Sequence, residues 1–277
     1  MTVEILESAP TTMEIARDNI VSGRVVFDTD ECPSPFAGVM AYDQAAGRGQ
    51  RGRSWFAKRG DSLCATYYFR HGLASPERAA LLALLTGVAV AEAINTIDIP
   101  AWKHASKLPR SAVGLKWPND VLLHQKKVGG ILVELIRARD GHWTALIGVG
   151  INVAVRTFPE DLTNSATSLL PYPAAPDQIE SLANAIAGSL HHWAAIARRD
   201  GFRAVLDAWR SLDRTPGMHF ETELDGTSVW GEAQGVDDEG ALLLRLNSGR
   251  QIAVTSASCL VNFVQPDVSW SNASPRE

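Results

Sequence analysis

Along the chain the spacing of apolar residues alternates between the periods of a helix and a strand. Thr11-Thr12-Met13-Glu14 has the form of a capping box, and Ile15, Ala16, Asn19 and Ile20 follow at helical spacing, which predicts a first helix ending at Gly23. Residues 24–27 and 38–42 are β-prone runs on either side of a turn region at Pro33 and Pro35. Residues 63–69 read as a buried strand, and Ser75-Pro76-Glu77 starts a helix that carries 79–94 into the core. Beyond a polar connection at 103–110, strands are expected at 113–116, 121–123, 128–136 and 143–149, forming a mostly antiparallel sheet. Ile179, Leu182, Ala183, Ile186, Leu190 and Trp193 recur every three or four positions, the mark of an amphipathic helix over 177–199, with a second helix at 202–212.

After Thr215-Pro216-Gly217 the texture changes to short β-prone runs punctuated by Asp225-Gly226, Glu239-Gly240 and Ser248-Gly249, which are hairpin-turn pairs. The pattern therefore predicts an α+β fold. A large domain, 1–215, is a mixed, mostly antiparallel sheet packed by helices; a small β-barrel follows over 216–265, then a polar tail, 266–277.

Composition narrows the class. The 277 residues are 45% apolar and 21% charged, with 26 Lys+Arg against 31 Asp+Glu and a net charge of −5. That excludes a disordered or fibrous chain and argues against a broadly basic nucleic-acid binder. The apolar stretch 79–91 reads as too short to cross a bilayer, so no membrane is expected as a partner. Glu4 and Glu7 stand where a secretory leader would carry basic residues, so the expected location is cytoplasmic. Cys32, Cys64 and Cys259 form no CxxC pair, which argues against both a disulfide framework and a zinc knuckle.

Candidate chemistry concentrates in a few segments. Gly47-Arg48-Gly49-Gln50-Arg51-Gly52-Arg53, followed by Lys58 and Arg59, is a cationic run with no acidic residue between Asp43 and Asp61. Its glycines satisfy G-x-G-x-x-G, but the chain does not continue as a helix, so a dinucleotide fold is not indicated. Three readings remain: a flexible loop whose backbone amides and arginines hold a phosphate-bearing ligand, a solvated surface loop, or a Gly/Arg contact to nucleic acid. In Leu115-Lys116-Trp117-Pro118-Asn119-Asp120 a strand ends in a lysine before a rigid turn, where the ammonium can meet a carboxylate or phosphate. Asn119 and Asp120 could take a phosphate-bound Mg²⁺ or close a turn. Gly129-Gly130 and Gly148-Val149-Gly150-Ile151-Asn152 leave room on strands for a ligand or another backbone.

With these motifs in this order, and Ala166-Thr167-Ser168-Leu169 after Phe158-Pro159, residues 8 to about 264 resemble the biotin protein ligases. The C-terminal β segment is similar to that family's SH3-like domain. The resemblance implies a two-step reaction: biotin and Mg·ATP give biotinyl-5′-adenylate and pyrophosphate, then a lysine of a biotin carboxyl-carrier protein, as in acetyl-CoA carboxylase, takes the biotinyl group with loss of AMP. It also implies Lys116, Arg48 and Arg51 as catalytic residues. Thr11, Thr12, Met13, Gln44, Arg48, Gly49, Gln50, Lys116, Gly129 and Gly130 would bind biotin, and Arg51, Arg53, Trp117, Asn119 and Asn152 would bind ATP.

Three positions depart from that family's usual pattern. Thr11-Thr12-Met13 stands for a Ser-Thr-Asn or Ser-Thr-Gln run, Gln50 for a loop arginine, and Cys64 for a tyrosine. A lipoate ligase of the same fold is the nearest alternative, but its Ser-Gly-Gly-Gly segment is not present. Ten residues before Thr11 leave no room for a helix-turn-helix domain, so no sequence-specific DNA is expected as a partner. The assembly is expected to be a monomer or homodimer.

Overall fold

The computed structural model describes residues 2–27, 33–34, 37–70, 73–97, 113–224 and 226–255. The expectations for Pro35, Cys32, Cys259, the 103–110 connection and the tail lie outside them. The chain divides into two compact units, one up to Arg214 and one from Thr215.

The first unit is built on a seven-stranded sheet. In chain order its strands are β1 (Val3–Leu6), β4 (Gly38–Ala41), β5 (Ser62–Arg70), β6 (Val113–Lys116), β7 (Asp120–Leu123), β8 (Lys126–Arg137) and β9 (Trp143–Asn152), with β2 (Val26–Phe27) and β3 (Pro33–Ser34) forming a separate small pair. Across the sheet the order is β1-β4-β5-β9-β8-β7-β6, with β1 parallel to β4 and every other pairing antiparallel. The parallel edge strand β1 was not expected from the sequence, because four residues between polar positions give too short a pattern to distinguish strand from coil.

Helix α1 (Thr12–Ser22) starts where its cap requires: the Thr11 hydroxyl accepts from the Met13 amide. It ends at Gly23, whose φ of 79° is the left-handed conformation that releases a helix C-terminus. The other helices are α2 (Ala79–Thr96), α3 (Pro176–Asp200) and α4 (Arg203–Leu212). Strand alternation decides which helix covers which face. Thr66 of β5 donates to Thr12 of α1, whereas the next residue, Tyr67, donates to the Ala183 carbonyl of α3. The two helices therefore lie on opposite faces, and the face under α1 carries the candidate site.

The opposite face is the main core. Twelve residues of α2 are buried there, among them Leu82, Leu85, Val88 and Val90. The expectation that this stretch is too short for a bilayer needs correction: with its lead-in turn the helix covers Pro76–Thr96, 21 residues, and is apolar enough to span. What accounts for its composition is burial against α3, α4 and the sheet. At its centre Gly87 admits Trp209 of α4, since a Cβ there would stand 2.7 Å from Cζ3 of that ring.

The second unit contains a four-stranded antiparallel sheet, β10 (His219–Leu224), β11 (Thr227–Val236), β12 (Leu242–Leu246) and β13 (Gln251–Val254), paired in chain order. Gly226, Gly240 and Gly249, the second residues of the three expected turn pairs, all take positive φ. A core of Phe220, Ala233, Leu242 and Leu244 lies beneath them.

Candidate functional site

A single register row crosses the α1 face of the sheet. Leu6 is opposite Ala41, Ala41 opposite Cys64, Cys64 opposite Gly150, Gly150 opposite Gly130, Gly130 opposite Asp120, and Asp120 opposite Lys116. Opposed residues in a ladder share a face, so small or absent side chains form a floor through the middle of the sheet. The two ends of that floor differ in chemistry.

One end is neutral and hydrogen-bonding. The Gln44 side-chain oxygen accepts from the Thr12 amide at 2.9 Å and from its hydroxyl at 3.2 Å, and Thr66 donates to the same hydroxyl at 2.9 Å. Thr12 and Thr66 are buried and Gln44 is partly so, which makes this a set of polar groups held in place and turned toward the floor. Met13 stands apart from that set. It packs with Ala16, Ile20, Val39 and Leu146, and its sulfur is 3.0 Å from where a Cβ at Gly148 would be. Its side chain thus packs in the core at the border of the floor.

The other end is cationic. Lys116 Nζ lies 3.5 Å from Asp120 Oδ2, and Lys127 Nζ lies 2.5 Å from Asp120 Oδ1. Burial pushes the Lys116 ammonium below the usual lysine range; Asp120 opposes that shift, while Lys127 and Arg53 add to it. A buried cation with further cations around it is a place where an anion is favoured.

Over the floor stands the Gly/Arg segment. Expected as a flexible loop, it is a short hairpin: Arg48 bridges Ser54, the Gly49 amide donates to the Arg53 carbonyl at 2.7 Å, and the Trp55 amide donates to Gly47 at 2.9 Å. A turn of 3₁₀ helix, Gln50–Gly52, makes the tip, with Arg51 and Gly52 both at positive φ. Trp55 follows, and its indole rests on the glycines. A Cβ on Gly150 would stand 2.4 Å from Trp55 Cε2, and one on Gly130 3.2 Å from Cζ3. The buried Trp55 Nε1 has no hydrogen-bond partner among the described residues.

Three expected site residues have the following surroundings. Gly129 neighbours Gly130 on a strand and so faces the opposite side, where a Cβ would meet Ile151 Cδ1 at 2.4 Å. Trp117 is a core residue, 1% exposed. Arg48, expected at the reacting groups, has its guanidinium 3.0 Å from Glu134, which also accepts from Arg17 of α1 at 2.8 Å. Glu134 is four residues along β8 from Gly130, about 13 Å at strand rise, so Arg48 ties the hairpin to the sheet away from Lys116. Asn119 and Asn152 both serve neighbouring backbone. Asn119 donates to the Ile131 carbonyl at 2.8 Å, and Asn152 donates to Thr167 at 3.1 Å, which holds the 166–169 segment beside the row.

Residues 27–152 match the model of the biotin/lipoate A/B protein ligase family, and 220–261 match that of the biotin protein ligase C-terminal domain. The chain is 31% identical to the bifunctional ligase/repressor BirA of Salmonella typhimurium, over 82% of this chain and 69% of that protein. The chain belongs to the biotin protein ligase family. A biotin–[acetyl-CoA-carboxylase] ligase of Mycobacterium tuberculosis is 30% identical over 79% of this chain and 76% of that one. The fold is shared with the biotin protein ligase of Aquifex aeolicus solved with biotin and ATP, at a TM-score of 0.70 and 21% identity, over 95% of this chain and 98% of that one.

Two residues beside the row, Thr66 and Lys127, carry no signal in the sequence. Thr66 is legible only once Cys64 is placed, two residues earlier on the same face. Lys127 reaches Asp120 because the β7–β8 register slips, Val121 opposite Gly129 but Leu122 opposite Lys127, which no periodicity reveals.

Proposed function

We propose that this ligase activates biotin as biotinyl-5′-adenylate and transfers it to a lysine of a biotin carboxyl-carrier domain, as in acetyl-CoA carboxylase. The observation that carries the reading is the register row with unlike ends. Cys64 and Lys116 are four strand spacings apart, about 19 Å, with glycines between them. Lys116 leans back over that row toward Asp120, one strand nearer the middle, so the groups at the two ends stand closer than the full span, and an extended ligand with a neutral hydrogen-bonding ring at one end and a carboxylate at the other, such as biotin, can meet both.

In this reading Thr12, Gln44 and Thr66 meet the ureido ring. Lys116 meets the biotin carboxylate and the α-phosphate, while Arg51 and Arg53 approach the phosphates from the hairpin. Carboxylate attack on the α-phosphate brings two anions together, and fixed cations in a water-poor site lower that barrier. The hairpin then shields the mixed anhydride from water. The buried Trp55 Nε1–H, without a partner among the described residues, is a donor that a ligand seated beside the indole would satisfy.

Mg²⁺ enters this account only with ATP. Among the described residues no group of three His, Cys, Asp or Glu could hold a metal ion. Asp120, the one carboxylate of the Asn119–Asp120 pair, is engaged by two lysines and so does not fit a resident cation. Such a reaction, drawing on ATP and an intracellular carboxylase, belongs in the cytoplasm.

Biotin-dependent exchange of labelled pyrophosphate into ATP tests the first step. The wild-type protein should exchange and Lys116→Ala should lose about a hundredfold in rate, the typical effect of removing one electrostatic donor. Exchange at the wild-type rate in Lys116→Ala would overturn the assignment.

A further inference from the structure

We propose that Glu134 is a positioning residue for the closed hairpin: its carboxylate holds Arg48 and thereby keeps Arg51, Arg53 and Trp55 over the bound adenylate, which slows release of the intermediate. The inference rests on the adenylating reaction proposed above and concerns how long its product is kept. Glu134 lies on β8 four residues beyond Gly130, and so on the same face of the sheet. Its two oxygens serve two different elements. Oε2 accepts from Arg17 of α1 at 2.8 Å, and Oε1 meets Arg48 of the hairpin at 3.0 Å.

The three side chains differ in how firmly they are placed. Glu134 is 19% exposed, whereas Arg17 and Arg48 are 45% and 48% exposed. The carboxylate is therefore the anchor, carried by a central strand and oriented by α1, and Arg48 is the partner that can swing away. Arg48 stands in the stem of the hairpin, where it bridges Ser54. On either side of it the stem is closed by backbone bonds, from the Gly49 amide to Arg53 and from the Trp55 amide to Gly47. A hold on Arg48 is thus a hold on the 3₁₀ tip and on the indole. Through Arg17 the same carboxylate is tied to the helix that begins at Thr12, whose amide and hydroxyl donate to Gln44. Glu134 in this way links the neutral end of the floor to the cover over its cationic end.

Ordering a loop costs conformational entropy, so the hairpin stays shut only in proportion to what it gains when closed. The Glu134 carboxylate offers one charge-assisted bond that does not depend on the ligand. Without it, closure leans more heavily on the ligand itself, and the open state from which adenylate leaves gains population. Because Arg48 is half exposed, this hold is an electrostatic one that salt screens.

The test is release of preformed, labelled biotinyl-adenylate, chased with excess unlabelled biotin and ATP, at low and high salt. Glu134→Gln should release the adenylate about three- to fivefold faster than wild type, the size of effect that one partly exposed ion pair supports. Arg48→Gln should do the same, and the double variant should be no faster than either, since both changes remove one contact. Raising the salt should bring wild-type release toward that of Glu134→Gln. Arg48→Lys keeps the charge of a pair that is a single contact and should release at close to the wild-type rate. The Arg48 series also guards against a Glu134→Gln protein that misfolds, because this side chain is exposed and its loss leaves the sheet intact. Wild-type release in Glu134→Gln, additive effects in the double variant, a gap that does not narrow with salt, or an Arg48→Lys protein as fast as Arg48→Gln would overturn the positioning role. If the wild-type protein formed no adenylate, the ligase reading beneath the inference would fall instead.

Discussion

Gly150→Ala is the substitution that most sharply separates the proposed floor from an ordinary sheet. The new methyl would lie 2.4 Å from Cε2, 2.7 Å from Nε1 and 2.8 Å from Cζ2 of Trp55. Carbon atoms in good contact sit about 3.5–4.0 Å apart, so the indole must retreat by about 1 Å or more. Trp55 is anchored through its amide to Gly47, and the hairpin that carries Arg51 and Arg53 moves with it. A misplacement of about 1 Å in a reacting constellation can cost on the order of a hundredfold in rate. The ring is partly exposed and sits in a connection between strands, so overpacking should reach the fold only weakly, below the roughly 1–3 kcal/mol typical of a well-packed core. Pyrophosphate exchange and thermal melting on the same preparation check both halves. A double variant, Gly150→Ala with Trp55→Ala, should show strong non-additivity in rate, because the clash needs both partners. A Gly150→Ala protein with wild-type exchange, or with additive losses in the double variant, would refute the placement of the indole on the floor.

Other perturbations should act in separable ways. Gly87→Ala drives a methyl to 2.7 Å from Trp209 and 3.3 Å from Leu115, in the closed core, and should lower stability by about 1–3 kcal/mol in denaturant titration. Lys116→Met should abolish exchange yet raise stability at neutral pH by about 0.5–2 kcal/mol, the range of relieved active-site strain. The sign follows from linkage. The folded Lys116 holds its proton less tightly than the unfolded one, so wild-type stability climbs as pH rises through the folded value toward the ordinary lysine range, and that climb should be missing in the variant. Burial, with Asp43 adding to it, pushes the Cys64 thiol up to about 12. In a protein with Cys32 and Cys259 replaced by serine, a thiol-reactive dye at pH 8 should leave Cys64 unmodified until denaturant is added.

The parts of the fold that could be read in advance are those where one local signal decides the outcome. The Thr11 cap and Gly23 fix both ends of α1, and strict apolar spacing fixes α3 and α4 to within a residue or two. The turn pairs ending in Gly226, Gly240 and Gly249 needed positive φ, which only their glycines supply cheaply. What could not be read depends on register. Gly129 and Gly130 are equivalent as letters, and only the pairing of Gly130 with Gly150 and Asp120 shows which one faces the site. Arg48, Arg51 and Arg53 look alike in a cationic run, yet the hairpin turns Arg48 toward Glu134 and brings Arg53 within the field of Lys116. Trp117, which the resemblance puts at the ATP site, is 1% exposed, and no spacing in the sequence signals that burial.

The central claim is a covalent one, and transfer tests it most directly. The protein is incubated with labelled biotin, Mg·ATP and an isolated biotin carboxyl-carrier domain, and the domain is then denatured and examined for label. Label should appear in stable amide linkage on one lysine of the carrier, dependent on ATP and lost in Lys116→Ala. No label on the carrier under conditions where the protein is folded, or transfer of lipoate to a lipoyl domain in its place, would contradict it.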